Sequence, residues 1–329
     1  MPTETIRRND RPTSGVLKRN ASVFRPALGA TIGLLMFVLL QGESSTTVWG
    51  QQGGFDFQRW GNMDSNEFMD QLFGPPSEDE QRMLDKVIIS TSDERRFGQQ
   101  LVDQYVGTQK QMGVTLVERG DDVEYLQELI ARLRPQMQNA RRYRRIRVLV
   151  ADTREPDAYS FPGGTLVFTR GLLEFCESEA ALLGVVGHEL SHLDRGHQLI
   201  PLKRTKIAET MFGNQSGLSL NRMMQQMQVV TRGWTRPFRP EDELEADRDA
   251  TRWLLAIDYD PQEFIHLMVN WQREHLGKDA NVPVFLRSHP YTEDRVESVA
   301  EVRSKYIKEH PDKVLKIGRD EHRRRVTDK

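Results

Sequence analysis

The hydrophobic positions of this chain follow two patterns, one typical of helices and one typical of strands. Between residues 122 and 134 the apolar side chains recur every three or four residues, which places them on one helix face; they are Val123, Leu126, Leu129, Ile130 and Leu133. Residues 180–186 are almost all apolar and follow Ser178 and Glu179, so they predict a buried helix. Thr165–Thr169 is short, apolar and β-branched and follows a Pro-Gly-Gly turn, so it predicts a strand.

The same patterns extend over most of the chain. Residues 146–151 predict a second strand, and residues 78–112 a mostly helical stretch. Amphipathic helices are predicted at residues 263–274 and 291–307, and Pro240 with the acids after it predicts another helix start. These elements indicate an α+β fold that is mainly helical and contains a small β-sheet.

The ends of the chain differ from this body. Six basic residues precede an apolar run at residues 27–40, and that run suits a signal peptide better than a bilayer-spanning helix. We therefore expect residues 1–50 to be a signal peptide, or an N-terminal anchor in the inner membrane. Residues 51–77 are predicted to be a flexible linker, residues 78–310 the main folded domain, and residues 311–329 a charged C-terminal tail that we expect to be disordered.

Charge and cysteine content narrow the function classes. The formal net charge is −2, so no overall basic field indicates nucleic-acid binding, and the basic run at residues 141–147 is expected to be solvated or paired with carboxylates. Cys176 is the single cysteine, which excludes an internal disulfide. Residues 199–234 contain no run that could cross a membrane.

The buried helix carries the sequence His-Glu-Leu-Ser-His at residues 188–192. Residues four apart lie nearly above one another on a helix, so His188 and His192 can bind one metal ion from the same face. Glu189 lies beside them and can act as general base toward a zinc-activated water. Two histidines in a helix by chance are the alternative, since the pattern fixes only three positions.

A catalytic zinc site usually has a third protein ligand, and it must come from elsewhere in the chain. A third histidine at position 198 is absent, because the residue there is Gln198. His197 is read as a helix-end residue or a partner of a ligand. The acidic helix after Pro240 offers Glu243, Glu245 and Asp247, and spacing alone leaves the choice between the two glutamates open.

Together these motifs resemble one family of zinc enzymes. His-Glu-Leu-Ser-His, followed about fifty residues later by Glu-Leu-Glu-Ala-Asp, is similar to the gluzincin metallopeptidases that include the CAAX prenyl proteases and the HtpX, Oma-type and BepA-like peptidases. The resemblance implies a zincin-type core in which Glu243 is the third zinc ligand and Asp247 supports the ligands. Two further stretches match in order, Asp-Ala-Tyr-Ser-Phe-Pro-Gly-Gly from Asp157 and Ser-His-Pro-Tyr from Ser288.

The two outer stretches imply further roles. His289 would stabilise the oxyanion, and Arg295 would orient acidic groups around the site. The strand formed by Thr165, Leu166, Val167 and Phe168 is expected at a sheet edge beside the zinc helix, where it would bind an extended substrate through main-chain hydrogen bonds. An interior strand paired on both sides is the alternative.

The sequence thus predicts a zinc-dependent endopeptidase with one Zn²⁺ per chain, exported to the periplasm or cell envelope, with peripheral or anchored contact with the inner membrane. By analogy with the family, its substrates would be extended, unfolded or misassembled envelope proteins. The alternatives are a chaperone-like or latent metal-binding protein that shares the fold, or a structural protein without a metal.

Overall fold

The computed structural model describes residues 76–212, 238–275, 289 and 291–327. The predicted leader at residues 1–50 and nearly all of the predicted linker lie outside the described residues. None of the described helices is long and apolar enough to cross a membrane.

Helices make up most of the described chain, as the apolar pattern predicts. In chain order they are α1 (Glu78–Leu84), α2 (Thr91–Gln111), α3 (Asp121–Leu133), α4 (Arg170–Phe175), α5 (Glu179–Arg195), α6 (Ile200–Phe212), α7 (Pro240–Ala256), α8 (Gln262–His275), α9 (Glu293–Glu309) and α10 (Arg319–Val326). Several begin at a Ser or Thr whose side chain accepts a backbone N–H of the first turn, as Ser178 does from Ala181 at the start of α5. The predicted α+β class, with helices dominant, is confirmed.

The sheet contains four strands within the described residues: β1 (Leu116–Val117), β2 (Arg147–Ala151), β3 (Ala158–Phe161) and β4 (Thr165–Thr169). They lie in the order β1-β2-β4-β3, with β4 parallel to β2 and antiparallel to β3. The expectation that Thr165, Leu166, Val167 and Phe168 form a substrate-binding edge is therefore wrong. The Pro-Gly-Gly turn joins β3 to β4 as a hairpin, and β2 pairs with the other side of β4. The main-chain groups of β4 are therefore already hydrogen-bonded on both sides. The edge strand next to β4 is β3.

The sheet separates two apolar cores, because successive side chains of a strand point to opposite faces. Val148 and Val150 of β2 and Phe168 of β4 pack in the core that contains α3 and α5. Leu149 of β2 and Val167 of β4 pack on the other face, in the core formed with α2. The zinc-motif helix α5 is thus enclosed by the sheet, α3, α7 and α8, and nearly every residue along it is buried.

The C-terminal segment is part of the folded body, so the expectation that residues 311–329 are disordered is wrong for the part described. Its helix α10 places His322 in a buried position, hydrogen-bonded to the Tyr125 hydroxyl and to the carbonyl of Leu173. Before α10, the carbonyls of Ile317 and Gly318 accept hydrogen bonds from the first backbone N–H groups of α5, at 3.0 and 3.3 Å. Charge content suggested disorder, but a few specific contacts stabilise the segment.

Candidate active site

Helix α5 holds the two histidines of the motif in fixed positions. His188 and His192 are fully buried, and their Nε2 atoms lie 3.0 Å apart. Gly184, one turn before His188, lets α8 approach closely, since a Cβ there would lie 2.5 Å from the Phe264 ring. The rings are therefore set by close packing around the helix before any ligand binds.

Helix α7 supplies the acidic partner. Glu243 is buried, and its Oε1 and Oε2 lie 3.4 Å from His192 Nε2 and 3.5 Å from His188 Nε2 respectively. Glu245 points elsewhere and lies 2.8 Å from Arg195 and 3.2 Å from His197. The structure thus favours Glu243 over Glu245, a choice that spacing left open.

His289 completes a cluster of four donor groups. Its Nδ1 lies 3.0 Å from His188 Nε2 and 2.9 Å from Glu243 Oε1. One ligand atom from each of His188, His192, Glu243 and His289 lies within 4.8 Å of the others. Tetrahedral zinc with bonds of 2.0–2.1 Å separates its ligand atoms by about 3.3 Å, so this donor set fits zinc. The oxyanion role would place His289 beside the metal ligands. Its Nδ1 lies instead within the set of candidate ligand atoms.

Glu189 is the buried carboxylate beside this cluster. Its side chain is fully buried, and neither oxygen has a hydrogen-bond partner among the described residues. His289 Nε2 lies 3.4 Å from Glu189 Oε1. A buried carboxylate without partners is costly, so its position indicates a role toward a bound water or metal.

Asp247 and Arg295 lie beside the donor set, in contact with His188 and Glu243. The Nδ1 of His188 lies 2.8 Å from Asp247 Oδ1, which leaves Nε2 directed at the cluster. Arg295 donates to both oxygens of Asp247 and lies 2.8 Å from Glu243 Oε2. Burial raises the pKa of Glu243, but the positive charges of His289 and Arg295 outweigh it and hold that pKa well below its usual range.

The outer side of His192 has two partners, of which the sequence indicated only one. His197 Nδ1 lies 2.9 Å from His192 Nδ1, the nitrogen that faces away from the cluster. His197 is thus placed to orient His192, the role of a ligand's partner that the sequence analysis considered for it. Phe238 stacks on the His192 ring with centroids 4.1 Å apart. Sequence reasoning missed Phe238, because a lone aromatic before a helix start carries no functional pattern.

The edge strand β3 packs against the zinc-motif helix α5. Asp157, just before β3, is buried, and its carboxylate accepts hydrogen bonds from the Ala158 N–H and the Tyr159 hydroxyl. Burial raises the pKa of Asp157 to about 8, and the negative charge of Glu189 adds to that rise. Gln198, in the turn after α5, donates to the Ser160 hydroxyl at 2.7 Å. No sequence pattern predicts this contact.

Comparison with known proteins places this site in a family. A model of peptidase family M48 matches residues 122–303, which is more than half of the 329 residues. The chain belongs to peptidase family M48. The matched part of this M48 protein contains the zinc-motif helix, α7 and His289. With its buried cluster of candidate ligands, the chain is a metallopeptidase, as the resemblance predicted.

The M48 protein is also similar to a curated relative, the beta-barrel assembly-enhancing protease of Yersinia pestis. The two are 28% identical over 174 residues, which cover 47% of this chain and 34% of the relative. The chain thus spans about a third of the length of that relative.

Proposed function

We propose that this protein is a zinc-dependent endopeptidase that hydrolyses peptide bonds of unfolded or misassembled envelope proteins. The observation that carries the proposal is the position of Glu189, a fully buried carboxylate without hydrogen-bond partners in the described structure, beside four converging donor groups. His188, His192 and Glu243 would hold the metal. Zinc bound there would polarise a water and the scissile carbonyl and favour their reaction near neutral pH.

The other residues would act around that reaction. Glu189 would accept a proton from the attacking water and deliver it to the leaving amine. His289, once turned from the donor cluster, would donate to the oxyanion, as the resemblance implies. An extended substrate would pair with the outer edge of β3, which no described strand covers, because β4 is paired on both sides.

The substrate class and the location are the wider parts of the proposal. Export to the envelope is supported by the basic and apolar leader pattern at residues 1–50. A relative named for enhancing the assembly of β-barrels supports substrates that have failed to assemble. Extended chains also suit a strand-addition site better than folded domains do.

A latent or chaperone-like metal-binding protein is the second candidate. The position of His289 favours it, because its Nδ1 occupies a place within the donor set that a water would need during catalysis. In that state the protein would bind zinc and cleave little.

The test compares the zinc-loaded full chain with its Glu189→Gln variant on unfolded casein. We expect the wild type alone to cleave, and a chelator to stop it, while both proteins hold one zinc. Absence of stoichiometric zinc in both would overturn the proposal. If neither protein cleaves casein although each holds one zinc, the result would support the latent protein instead. Asp320→Asn, at an exposed position of α10, is the matched control and should cleave like the wild type.

A further inference from the structure

The outer edge of β3 offers few main-chain groups to a substrate. The Thr169 N–H donates to the Asp157 carbonyl. Because every second residue of an antiparallel strand hydrogen-bonds to its neighbour, the main-chain groups of Tyr159 and Phe161 face β4. The N–H and C=O groups of Ala158 and Ser160 therefore face the edge that no described strand covers. An extended peptide that adds to this edge must bind these groups.

Two side chains already occupy part of that edge. Asp157 Oδ1 accepts the Ala158 N–H at 3.0 Å. The Nε2 of Gln198 donates to the Ser160 hydroxyl at 2.7 Å and lies 3.4 Å from the Ser160 carbonyl oxygen. That carbonyl is the acceptor that a substrate N–H would need.

The zinc helix itself holds Gln198 in place. Gly196 ends α5 in the left-handed region, with φ 72°, and its N–H donates to the carbonyls of His192 and Leu193. On either side of Gln198, His197 is hydrogen-bonded to His192 and Leu199 is buried in the core with α2. The chain can therefore present the Gln198 amide at β3 without further ordering.

Only the NH2 group of the Gln198 amide forms hydrogen bonds among the described residues. Gln198 Oε1 is buried and has no hydrogen-bond partner among the described residues. A buried amide oxygen without a partner destabilises the side-chain position that holds it. The contact with Ser160 is thus one that a competing main-chain donor can replace.

We propose that Gln198 caps the substrate edge of β3 and that an extended peptide binds by displacing its amide from Ser160. This inference rests on the proposed peptidase function. A substrate N–H takes the place of Nε2 at the Ser160 carbonyl, so the cap reduces affinity for every peptide by the same amount. Long extended segments recover that loss through further main-chain hydrogen bonds, and short or structured segments do not. Gln198 thereby sets how much extended chain a substrate must offer.

The experiment measures peptide binding without cleavage. The full chain carrying Glu189→Gln is loaded with zinc and titrated against a fluorescent, unstructured peptide of casein sequence, with anisotropy as the readout. Adding Gln198→Ala should strengthen binding by about threefold to tenfold, the range expected when one competing hydrogen bond is removed. Gln138→Ala, at an exposed glutamine, is the control and should leave the affinity unchanged.

Two further measurements separate a cap from a structural role. Ser160→Ala removes the hydroxyl that holds the amide, so it should raise the affinity as Gln198→Ala does, and the two changes together should give no further gain. A scan of peptides methylated at successive backbone nitrogens should find one position at which Gln198→Ala no longer helps, because the displacing N–H is gone.

Weaker or unchanged binding by Gln198→Ala, in a variant that keeps the wild-type melting temperature and zinc content, overturns the inference and leaves the peptidase proposal intact. Additive gains from the two substitutions also overturn it. If no zinc-loaded variant binds any peptide and the wild type cleaves no casein, the proposed function fails and the inference falls with it.

Discussion

Arg295 binds Asp247 through two hydrogen bonds, of 2.6 and 2.8 Å, directly behind the imidazole of His188. Both residues are buried, and Asp247 in turn accepts from His188. Burial raises the pKa of Asp247, but the charge of Arg295 outweighs it and lowers that pKa, so the carboxylate stays ionised. Asp247 and Arg295 thus orient the ring of His188 from outside the cluster of candidate ligands.

Replacing this carboxylate should weaken metal binding. In Asp247→Asn an amide group would face the Arg295 guanidinium, and two donors cannot satisfy each other. We expect zinc affinity to fall by about 10- to 100-fold, the usual effect of losing a ligand's partner. Competition with a chromophoric chelator measures this. Wild-type affinity in Asp247→Asn would contradict the role given to the pair, and Asp320→Asn again serves as the control.

Removing the fourth donor separates two roles for His289. Because the proposed function gives His289 the oxyanion role, we expect His289→Ala to keep one zinc and to lose about 10²- to 10³-fold in kcat. Initial rates at saturating zinc test this. Faster cleavage than the wild type would instead support the latent protein, in which the Nδ1 of His289 occupies the donor set. His266→Ala, at an exposed histidine of α8, should change neither zinc content nor rate.

Asp157 should make the stability of the metal-free protein depend on pH. Its folded pKa of about 8 lies above an unfolded value of about 3.9, so the folded state binds more protons between these values. The contribution of Asp157 is therefore fully present below pH 4 and is lost as the pH rises through 8.

Asp157→Asn keeps a neutral acceptor for the Ala158 N–H at every pH, and its NH2 group can donate to the Tyr159 hydroxyl. We expect it to match the wild type near pH 4 and to exceed it near pH 9 by on the order of a few kcal/mol. Urea unfolding at both pH values checks this, with Asp312→Asn as an exposed control. If the difference in free energy of unfolding between the two proteins is the same at both pH values, the charge of Asp157 is not the cause of the pH dependence.

Two glycines of α2 should respond oppositely to the same change. A Cβ on Gly98 would overlap the carbonyl oxygen of Pro162, in the turn after β3, whereas one on Gly107 would meet nothing within 4 Å. Gly98→Ala should therefore lower the free energy of unfolding by about 1–3 kcal/mol or more. Gly107→Ala should raise it by about 0.5–1 kcal/mol. Chemical denaturation measures both, and similar values would mean that α2 does not pack on the turn in this way.

Much of the fold was predictable because it depends on local patterns. The face of Leu126, Leu129 and Leu133 gave the helix at Asp121–Leu133, and the β-branched run gave the strand at Thr165–Thr169 with its observed bounds. Strand order was not predictable, since it depends on which edges meet, and a fully apolar strand fits an interior place as well as an edge beside a site. The helix of the C-terminal segment was missed because its composition is charged.

The candidate site divides in the same way. The spacing of His188, Glu189 and His192 on a helix indicated their convergence, and the resemblance singled out Glu243. The contacts of Gln198 with Ser160 and of Phe238 with His192 join elements that no short pattern connects. Such pairings follow from tertiary packing and carry no periodic signal.

The backbone contacts between α5 and residues 317–318 bear on how the catalytic helix comes to be folded. Two of the N–H groups in its first turn find their acceptors more than 130 positions later in the chain. Closing so long a loop is slow compared with forming a helix turn, so these bonds form after most other parts have met. A partly synthesised or partly translocated chain lacks them, and the helix that carries the zinc motif starts with its first turn unfinished. Completion of the first turn of α5 is thus tied to the docking of residues 317–318.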